Sequence, residues 1–260
     1  GLTTSPIPHG ALTFELQFDF IEHALDISVS DGGRRKIPLV PRTVADFHAA
    51  VMRALSELGV PVQINELPCE IAGAIPFSED RTHSAYDPDS VQRFWHALLH
   101  VDRVMKKFRA RFIGKVSPVH FFWGSFDLAV TRFSGRQAPE FTSKVPGVAP
   151  EIMTEAYSRE VSSAGFWPGG NGIEYPAFYS YAYPSSEAFR ASTVEPAEAF
   201  FSEQLGEFLL PYDAVRQASD PDATLLRFLQ TTYEAAARAG EWDRAQLERE
   251  DGAPKSPRTT

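Results

Sequence analysis

Residues 112–136 read FIGKVSPVHFFWGSFDLAVTRFSGR, and this segment sets one histidine and one aspartate among aromatic, strand-forming residues. As a single strand, residues 119–133 would span roughly 50 Å at ~3.3 Å per residue, which is far beyond the usual strand length. Gly124 and Ser125 are the best place for a break, because a two-residue Gly-X turn joins antiparallel strands. The segment therefore predicts a β-hairpin.

One face of the predicted hairpin is apolar and the other mixes polar and aromatic residues. This sorting follows from a register that pairs Trp123 with Phe126 and His120 with Ala129. The apolar face then carries Val119, Phe121, Trp123, Phe126, Leu128 and Val130. The opposite face carries His120, Phe122, Asp127, Ala129 and Thr131. Reading through without a break would mix polar and apolar residues on both faces.

The predicted register makes His120 and Asp127 diagonal neighbours on adjacent strands, with Cβ atoms roughly 7 Å apart. A carboxylate that holds one imidazole nitrogen fixes the tautomer and raises the pKa of the histidine, as a general base or metal ligand requires. His120 and Asp127 are therefore the candidate catalytic residues. The alternative is a hydrogen-bonded pair that only satisfies two polar groups on a half-buried face.

The rest of the chain separates into blocks of strands and helices. Alternation over residues 11–40 predicts a three-stranded meander, Thr43 caps a following helix, and Pro88 opens a longer one. Further strands are expected at 60–67, 160–167, 176–183 and 206–211, with helices near 151–158 and 220–240. Such blocks predict an α+β fold, with a largely antiparallel sheet of meanders and hairpins packed by a few amphipathic helices.

Composition sets the broad class of the protein. With 260 residues and no obvious linker, the sequence predicts a single domain over 1–248, followed by a charged, Pro-rich tail at 249–260 that we expect to be disordered. The net charge of −9 argues against a nucleic-acid partner. No apolar run approaches the ~18 residues of a membrane span, so no membrane partner is expected. The lone Cys69 gives neither a disulfide framework nor a cysteine-based metal site, and it favours a cytoplasmic location.

Several residues are candidates for binding a ligand. Three cations, Arg111, Lys115 and Arg132, would neutralise ligand charge, and the other candidates are Trp123, Glu160, Trp167, Tyr179 and Tyr181. Alternation places the two tyrosines on one strand face, where they would form the aromatic wall of a pocket. Two alternatives remain open: Arg111 and Lys115 belong to a basic cluster that complements a helix C-terminus, and the tyrosines pack at the edge of the core. His96 and His100 share the i, i+4 spacing of metal ligands, but they lie on a solvated helix face, and no metal site is assigned.

Five motifs resemble an uncharacterised, mainly bacterial family that is known only as a domain of unknown function. They are GLTTSPIPHG, the central segment FIGKVSPVHFFWGSFDLAVTRFSGR, EVSSAGFWPGG, FYSYAYP and LGEFLLPY. The resemblance extends to about residue 240. Members of that family usually carry a further Trp- and His-rich section at the N-terminus, so the resemblance implies that this chain lacks such a section. It implies no activity, substrate or cofactor.

Two functional hypotheses follow. In the first, the protein binds a small polar or anionic molecule in an aromatic-walled pocket, with acid–base chemistry by His120 and Asp127 if it is an enzyme. In the second, it is a non-catalytic module for homo-oligomerisation or protein interaction, whose aromatic surface is the interface. The sequence does not decide whether the protein is an enzyme, and it indicates no particular cofactor.

Overall fold

The computed structural model describes residues 1–71, 73–143, 145–170 and 172–249. The chain divides into two compact units, the first being Gly1–Ala97 and the second beginning at Leu98. Each unit is built around its own antiparallel sheet with helices, which confirms the predicted α+β class. A single domain over 1–248 stays a prediction. Of the tail predicted to be disordered, all but Arg249 lies outside the described residues.

The first unit is a five-stranded sheet. Its strands are β1 (Leu2–Thr3), β2 (Ile7–His9), β3 (Leu12–Asp19), β4 (Ala24–Val29) and β5 (Arg34–Pro38). The order is β1-β3-β4-β5, with β2 also paired to β3. The meander predicted for residues 11–40 is therefore confirmed. Helix α1 (Val44–Glu57) begins as predicted, since the Thr43 side chain accepts a hydrogen bond from the Asp46 amide at 3.1 Å.

Two predictions for the first unit need correction. Strands β1 and β2 were not expected from the sequence, because they are too short to show an alternating pattern. The strand predicted for residues 60–67 is wrong, because this segment forms no ladder with any described strand. Only Val60 is fully buried there, packing with Leu55 and Leu58 in the core of the unit. Pro61 also removes one of the amide donors that a ladder would need.

The long helix predicted from Pro88 is confirmed as α2 (Pro88–Ala110), which begins in the first unit and ends in the second. Its acidic residue in the first turn and its basic residues in the last turn complement the helix dipole. Within the second unit it buries one apolar stripe, formed by Leu98, Val101, Val104, Met105 and Phe108.

The second unit is a six-stranded antiparallel sheet. Its strands are β6 (His120–Phe122), β7 (Asp127–Gln137), β8 (Arg159–Trp167), β9 (Ala177–Tyr183), β10 (Phe200–Ser202) and β11 (Glu207–Pro211). Its helices are α3 (Pro150–Ala156), α4 (Glu187–Arg190), α5 (Tyr212–Arg216), α6 (Pro221–Ala239) and α7 (Arg244–Leu247). The strand order is β10-β11-β9-β8-β7-β6. The short elements β10, α4, α5 and α7 were not predicted.

The predicted hairpin between β6 and β7 is right in register and wrong in its turn. His120 pairs with Ala129, as expected, and Phe122 pairs with Asp127. Trp123 and Phe126 are not ladder partners, because the turn takes the four residues 123–126. Phe126 has a φ of 57°, so the last turn residue adopts the left-handed conformation that reverses the chain. The faces of the two strands are nevertheless those that the sequence predicted.

The two faces of the six-stranded sheet differ in character. One face is packed by α6, and its apolar members are fully buried, among them Phe166, Phe178, Phe208 and Leu210. On the other face, cross-strand pairing aligns Ala129 with Gly165, and Gly165 with Tyr179. Because side chains alternate along a strand, residues two positions before or after these three lie on the same face. It therefore gathers the polar side chains of the hairpin with those of β8 and β9.

Candidate functional site

The candidate site is the second of these faces, which we call the polar face. It carries His120, Phe122, Asp127, Thr131, Ser163, Trp167, Tyr179, Tyr181 and Glu207, as the ladder pairing of β6, β7, β8, β9 and β11 requires. Asp127 and Ser163 are among the buried polar residues of the chain. Polar groups withdrawn from water are costly unless they are paired, so their clustering on one face calls for an explanation.

Tyr179 reaches across β8 to contact Asp127 on β7. Its hydroxyl donates a hydrogen bond to the Asp127 carboxylate, and that aspartate is only 5% exposed. The tyrosine side chain can lie in this direction because Gly165 stands beneath it, where a Cβ would overlap the end of the ring. Glycine at this position is thus a condition for the contact between β9 and β7.

We expect Gly165→Ala to lower the free energy of unfolding by about 1–3 kcal/mol, because the new methyl group displaces the Tyr179 ring. The cost should nearly vanish when the same change is made in a Tyr179→Ala background, where no ring remains to be displaced. Urea unfolding of the two single variants and the double variant measures this coupling. Equal costs of Gly165→Ala in both backgrounds would show that the ring and the glycine do not constrain each other.

Glu207 is a second carboxyl group on the polar face. Burial, and then the nearby charge of Asp127, raise the pKa of Glu207 to about 7. The Glu207 side chain forms no hydrogen bond or ion pair with any other described residue. A half-buried carboxyl group in this state exchanges its proton near neutral pH, as a general acid or base must.

A set of hydroxyl groups continues the polar face along β7, β8 and β9. The Tyr157 hydroxyl donates to that of Tyr181 at 3.1 Å, and the hydroxyls of Thr131 and Ser163 lie 2.8 Å apart. Burial raises the pKa of Tyr179 and of Tyr181 well above the usual tyrosine value. Both phenols therefore stay protonated and act as hydrogen-bond donors across physiological pH.

The two ends of the polar face make different contacts. At one end, the Phe141 and Tyr157 rings stack with centroids 4.5 Å apart, and the Tyr183 hydroxyl donates to the carbonyls of Pro139 and Glu140 at 3.0 Å. At the other end, Trp167 stands at 70° to the Tyr179 ring, with centroids 6.4 Å apart.

Exposed aromatic side chains border the polar face on both edge strands. They are Phe122 on β6, which is 45% exposed, and Phe200 on β10. Phe200 lies on the polar face because it pairs with Leu209, which in turn pairs with Tyr179. The polar residues thus lie between two aromatic borders that solvent reaches.

His120 shares the polar face with Asp127, but it makes no hydrogen bond to that carboxylate. Asp127 accepts from Tyr179, and the His120 ring packs against Phe122 with centroids 4.2 Å apart. Burial lowers the pKa of His120, so the raised pKa expected from pairing with Asp127 is wrong. The catalytic roles of His120 and Asp127 stay predictions.

Arg132 lies on the opposite face of the sheet, where it cannot neutralise a ligand on the polar face. Its guanidinium group is 4.2 Å from the centroid of the Tyr233 ring and 3.5 Å from that of Phe108, whose carbonyl accepts its hydrogen bond. The Phe112 ring adds a third contact. Only 1% of Arg132 is exposed, and burial lowers its pKa to about 9. The buried location of this cation was not expected from the sequence.

Three further predicted ligand-binding residues, Arg111, Lys115 and Glu160, make other contacts. Lys115 is exposed with its ammonium group 5.0 Å from the Phe133 ring centroid, and the Arg111 carbonyl accepts from the Arg249 amide at 2.9 Å. Glu160 forms an ion pair with Arg136 at 2.7 Å.

Trp123 lies in the hairpin turn and is 43% exposed. The structure brings five of the predicted site residues together on the polar face: His120, Asp127, Trp167, Tyr179 and Tyr181.

Glu207 and the hydroxyls of Tyr157, Thr131 and Ser163 were not predicted from the sequence. Glu207 begins β11 in phase with Leu209, so the period-2 pattern could have placed it on the face of the tyrosines. In the part of the chain that the structure describes, no group of three His, Cys, Asp or Glu side chains could hold a metal ion.

Fold and site together define an α+β protein with two antiparallel sheets, one of which presents a polar, aromatic-bordered face. A family model covers residues 1–249, and the chain belongs to that family, which is described as the family of unknown function DUF5996. Comparison with curated proteins and with solved structures finds no match. Among the described residues, no helix has the length and apolar character needed to cross a bilayer.

Proposed function

We propose that the polar face of the six-stranded sheet binds a small polar molecule. The proposal rests on two carboxyl groups, Asp127 and Glu207, that are largely removed from water and lie among tyrosine hydroxyls. Exposed aromatic side chains border them. Small-molecule sites combine aromatic walls with a few convergent polar groups. Carboxyl groups with a perturbed pKa also cluster at functional sites more often than elsewhere.

The charge on this face favours a neutral or basic ligand over an anionic one. Two acidic groups face the ligand, whereas Arg132 is buried on the other side of the sheet. The Lys115 ammonium group lies 5.0 Å from the Phe133 ring centroid, and an anion near Asp127 and Glu207 would meet two carboxyl groups. Like charges repel each other more strongly in a partly buried site than in water.

If the protein is an enzyme, acid–base chemistry is the reaction class that the polar face supports. Glu207 would accept or release the proton because its pKa is about 7. The Tyr179 hydroxyl, whose proton is donated to Asp127, would accept a hydrogen bond from the ligand. His120 is neutral at physiological pH because burial lowers its pKa, so it would accept a proton or a hydrogen bond. We retain a cytoplasmic location as part of this proposal, because the single Cys69 fits a reducing compartment.

Native mass spectrometry, with elemental analysis of the same sample, tests the proposal. We expect the wild type to retain a co-purifying molecule, or to take one up from a mixture of polar metabolites, and Asp127→Asn to lose at least about 90% of that complex. Asp213→Asn is the matched control, since Asp213 is an exposed carboxylate on helix α5 that forms an ion pair with Arg216. His120→Ala in the same assay tests whether His120 contacts the ligand. A wild type without any adduct would contradict the proposal.

The hairpin turn supports a second function, that of an oligomerisation or protein-interaction module. Phe122, Trp123 and Phe126 are each between 43% and 46% exposed at this tip, and exposed aromatic residues are enriched at interfaces. The same mass spectra separate the two functions. A wild type without ligand that forms a discrete dimer, lost in Trp123→Ser, would favour the interaction module.

A further inference from the structure

We propose that the ligand of the polar face is a small organic cation, such as an amine or a quaternary ammonium compound, held between aromatic rings and carboxylates. This inference rests on the proposed function and narrows it to one class of ligand. Three observations on the polar face support it. They are the arrangement of the aromatic rings, the position of the two carboxyl groups, and the lack of any ion pair between Glu207 and a described basic residue.

The aromatic rings on this face are arranged as walls at different angles. Trp167 and Tyr179 stand at 70° to each other, while Tyr179 and Tyr181 are nearly parallel with centroids 6.2 Å apart. Phe122, exposed on the edge strand, adds a further ring close to His120. Electron-rich ring faces attract a cation within about 6 Å of the centroid, and cages of differently oriented rings are the usual site for ammonium groups.

The carboxyl groups supply the negative charge that such a cage requires. Asp127 is fixed by the Tyr179 hydroxyl, directly beside the aromatic walls. Glu207 acts electrostatically on both Tyr179 and Tyr181, so it also lies close to the rings. A bound ammonium group would satisfy the Glu207 carboxylate, which no described residue pairs. The Glu207 carboxylate is thus an acceptor on this face to which no described residue donates a hydrogen bond.

The titratable groups of the polar face on β6, β7 and β9 do not supply a positive charge that could take the place of a cationic ligand at Glu207. Asp127 on β7 repels it, and the phenols of Tyr179 and Tyr181 on β9 remain neutral because their pKa values are raised. His120 lies on β6, four strands from β11 in the sheet order, and burial lowers its pKa as well. Without a ligand, Glu207 therefore holds a proton up to about neutral pH. Binding a cation should release that proton, so the affinity for the cation should rise with pH.

Titration of the wild type with choline and with its neutral isostere 3,3-dimethyl-1-butanol, followed by the NMR signal of the Trp167 indole, tests the inference. We expect choline to shift this signal, with an affinity that rises about 30-fold between about pH 5.5 and about pH 8, because Glu207 ionises over that range. The neutral compound should bind more weakly and without pH dependence. Glu207→Gln should remove the pH dependence, whereas Glu203→Gln, in the exposed turn before β11, should retain it.

Each result bears on the inference. Equal binding of the alcohol and choline, or unchanged pH dependence in Glu207→Gln, overturns it and leaves the polar face as a site for neutral molecules. No shift of the Trp167 signal with either compound at about 50 mM also overturns it. The broader proposal is then decided by the mass spectra of the Asp127→Asn and Asp213→Asn variants, which do not depend on the choice of probe. If Glu207→Gln fails to fold, Trp167→Phe replaces it as the test variant. Choline binding to Trp167→Phe is then followed by the NMR signals of Tyr179.

Discussion

Arg132→Ala should lower the free energy of unfolding by about 3–5 kcal/mol, the largest effect that we expect from any single change in the second unit. The guanidinium group fills the space between Phe108, Phe112 and Tyr233. Truncation leaves a cavity there and removes the donor from the Phe108 carbonyl, which lies near the end of α2. Urea or thermal unfolding, followed by circular dichroism, measures the loss.

Arg132→Met separates the effect of volume from that of charge. Burial lowers the pKa of Arg132 to about 9, which means that the fold carries a desolvation cost for this charge. An apolar chain of similar volume avoids that cost, so Arg132→Met should stay within about 1 kcal/mol of the wild type. Arg159→Ala, at an exposed position on the neighbouring strand, should change stability by less than about 0.5 kcal/mol. If Arg132→Met is as damaging as Arg132→Ala, the charge itself stabilises the fold.

Glu207 should make the protein less stable as the pH rises. Its pKa in the folded state is about 7, whereas its ordinary value is 4.5, so the folded state binds more protons between these values. The free energy of unfolding therefore falls as the pH rises from about 4.5 to about 7. Above that range, the ionisation of Glu207 lowers the free energy of unfolding by about 3 kcal/mol. Below the ordinary value both states are protonated, and Glu207 contributes no pH dependence.

Glu207→Gln isolates this contribution, since glutamine does not titrate. The difference in unfolding free energy between Glu207→Gln and the wild type should rise by about 3 kcal/mol between about pH 4.5 and about pH 8. Chemical denaturation at a series of pH values measures it. Glu203→Gln, whose carboxyl group lies in the exposed turn, should follow the wild type throughout. A constant difference across the range would mean that Glu207 titrates normally in the folded protein.

The strands of this protein were predictable where alternation extends over several residues. Alternating residues predicted β3 and β4, and they predicted the pairing of His120 with Ala129 although the turn itself was misjudged. Turn geometry depends on a single residue, Phe126, adopting a positive φ, and nothing in its chemistry indicates that conformation. Strands of two or three residues, such as β1 and β10, offer too little pattern to detect.

The candidate site was only partly predictable because its contacts join strands that are distant in sequence. The contact between Tyr179 and Asp127 depends on Gly165, which lies on a third strand. Alternation from Leu128 and Val130 places residue 132 on the apolar face, yet a buried arginine is acceptable there only because distant rings surround it. Pairwise chemistry of this kind cannot be deduced from local pattern alone.

The fit between Gly165 and Tyr179 also constrains how members of the family can diverge. A side chain at position 165 and a long ring at position 179 exclude each other, because both would occupy the same space above β8. Sequences that keep tyrosine at 179 should therefore keep glycine at 165, and a larger residue at 165 should accompany a shorter one at 179. Substitution at the two positions should thus be correlated within the family, and Asp127 should vary with them, since its carboxylate loses its phenol partner whenever position 179 changes.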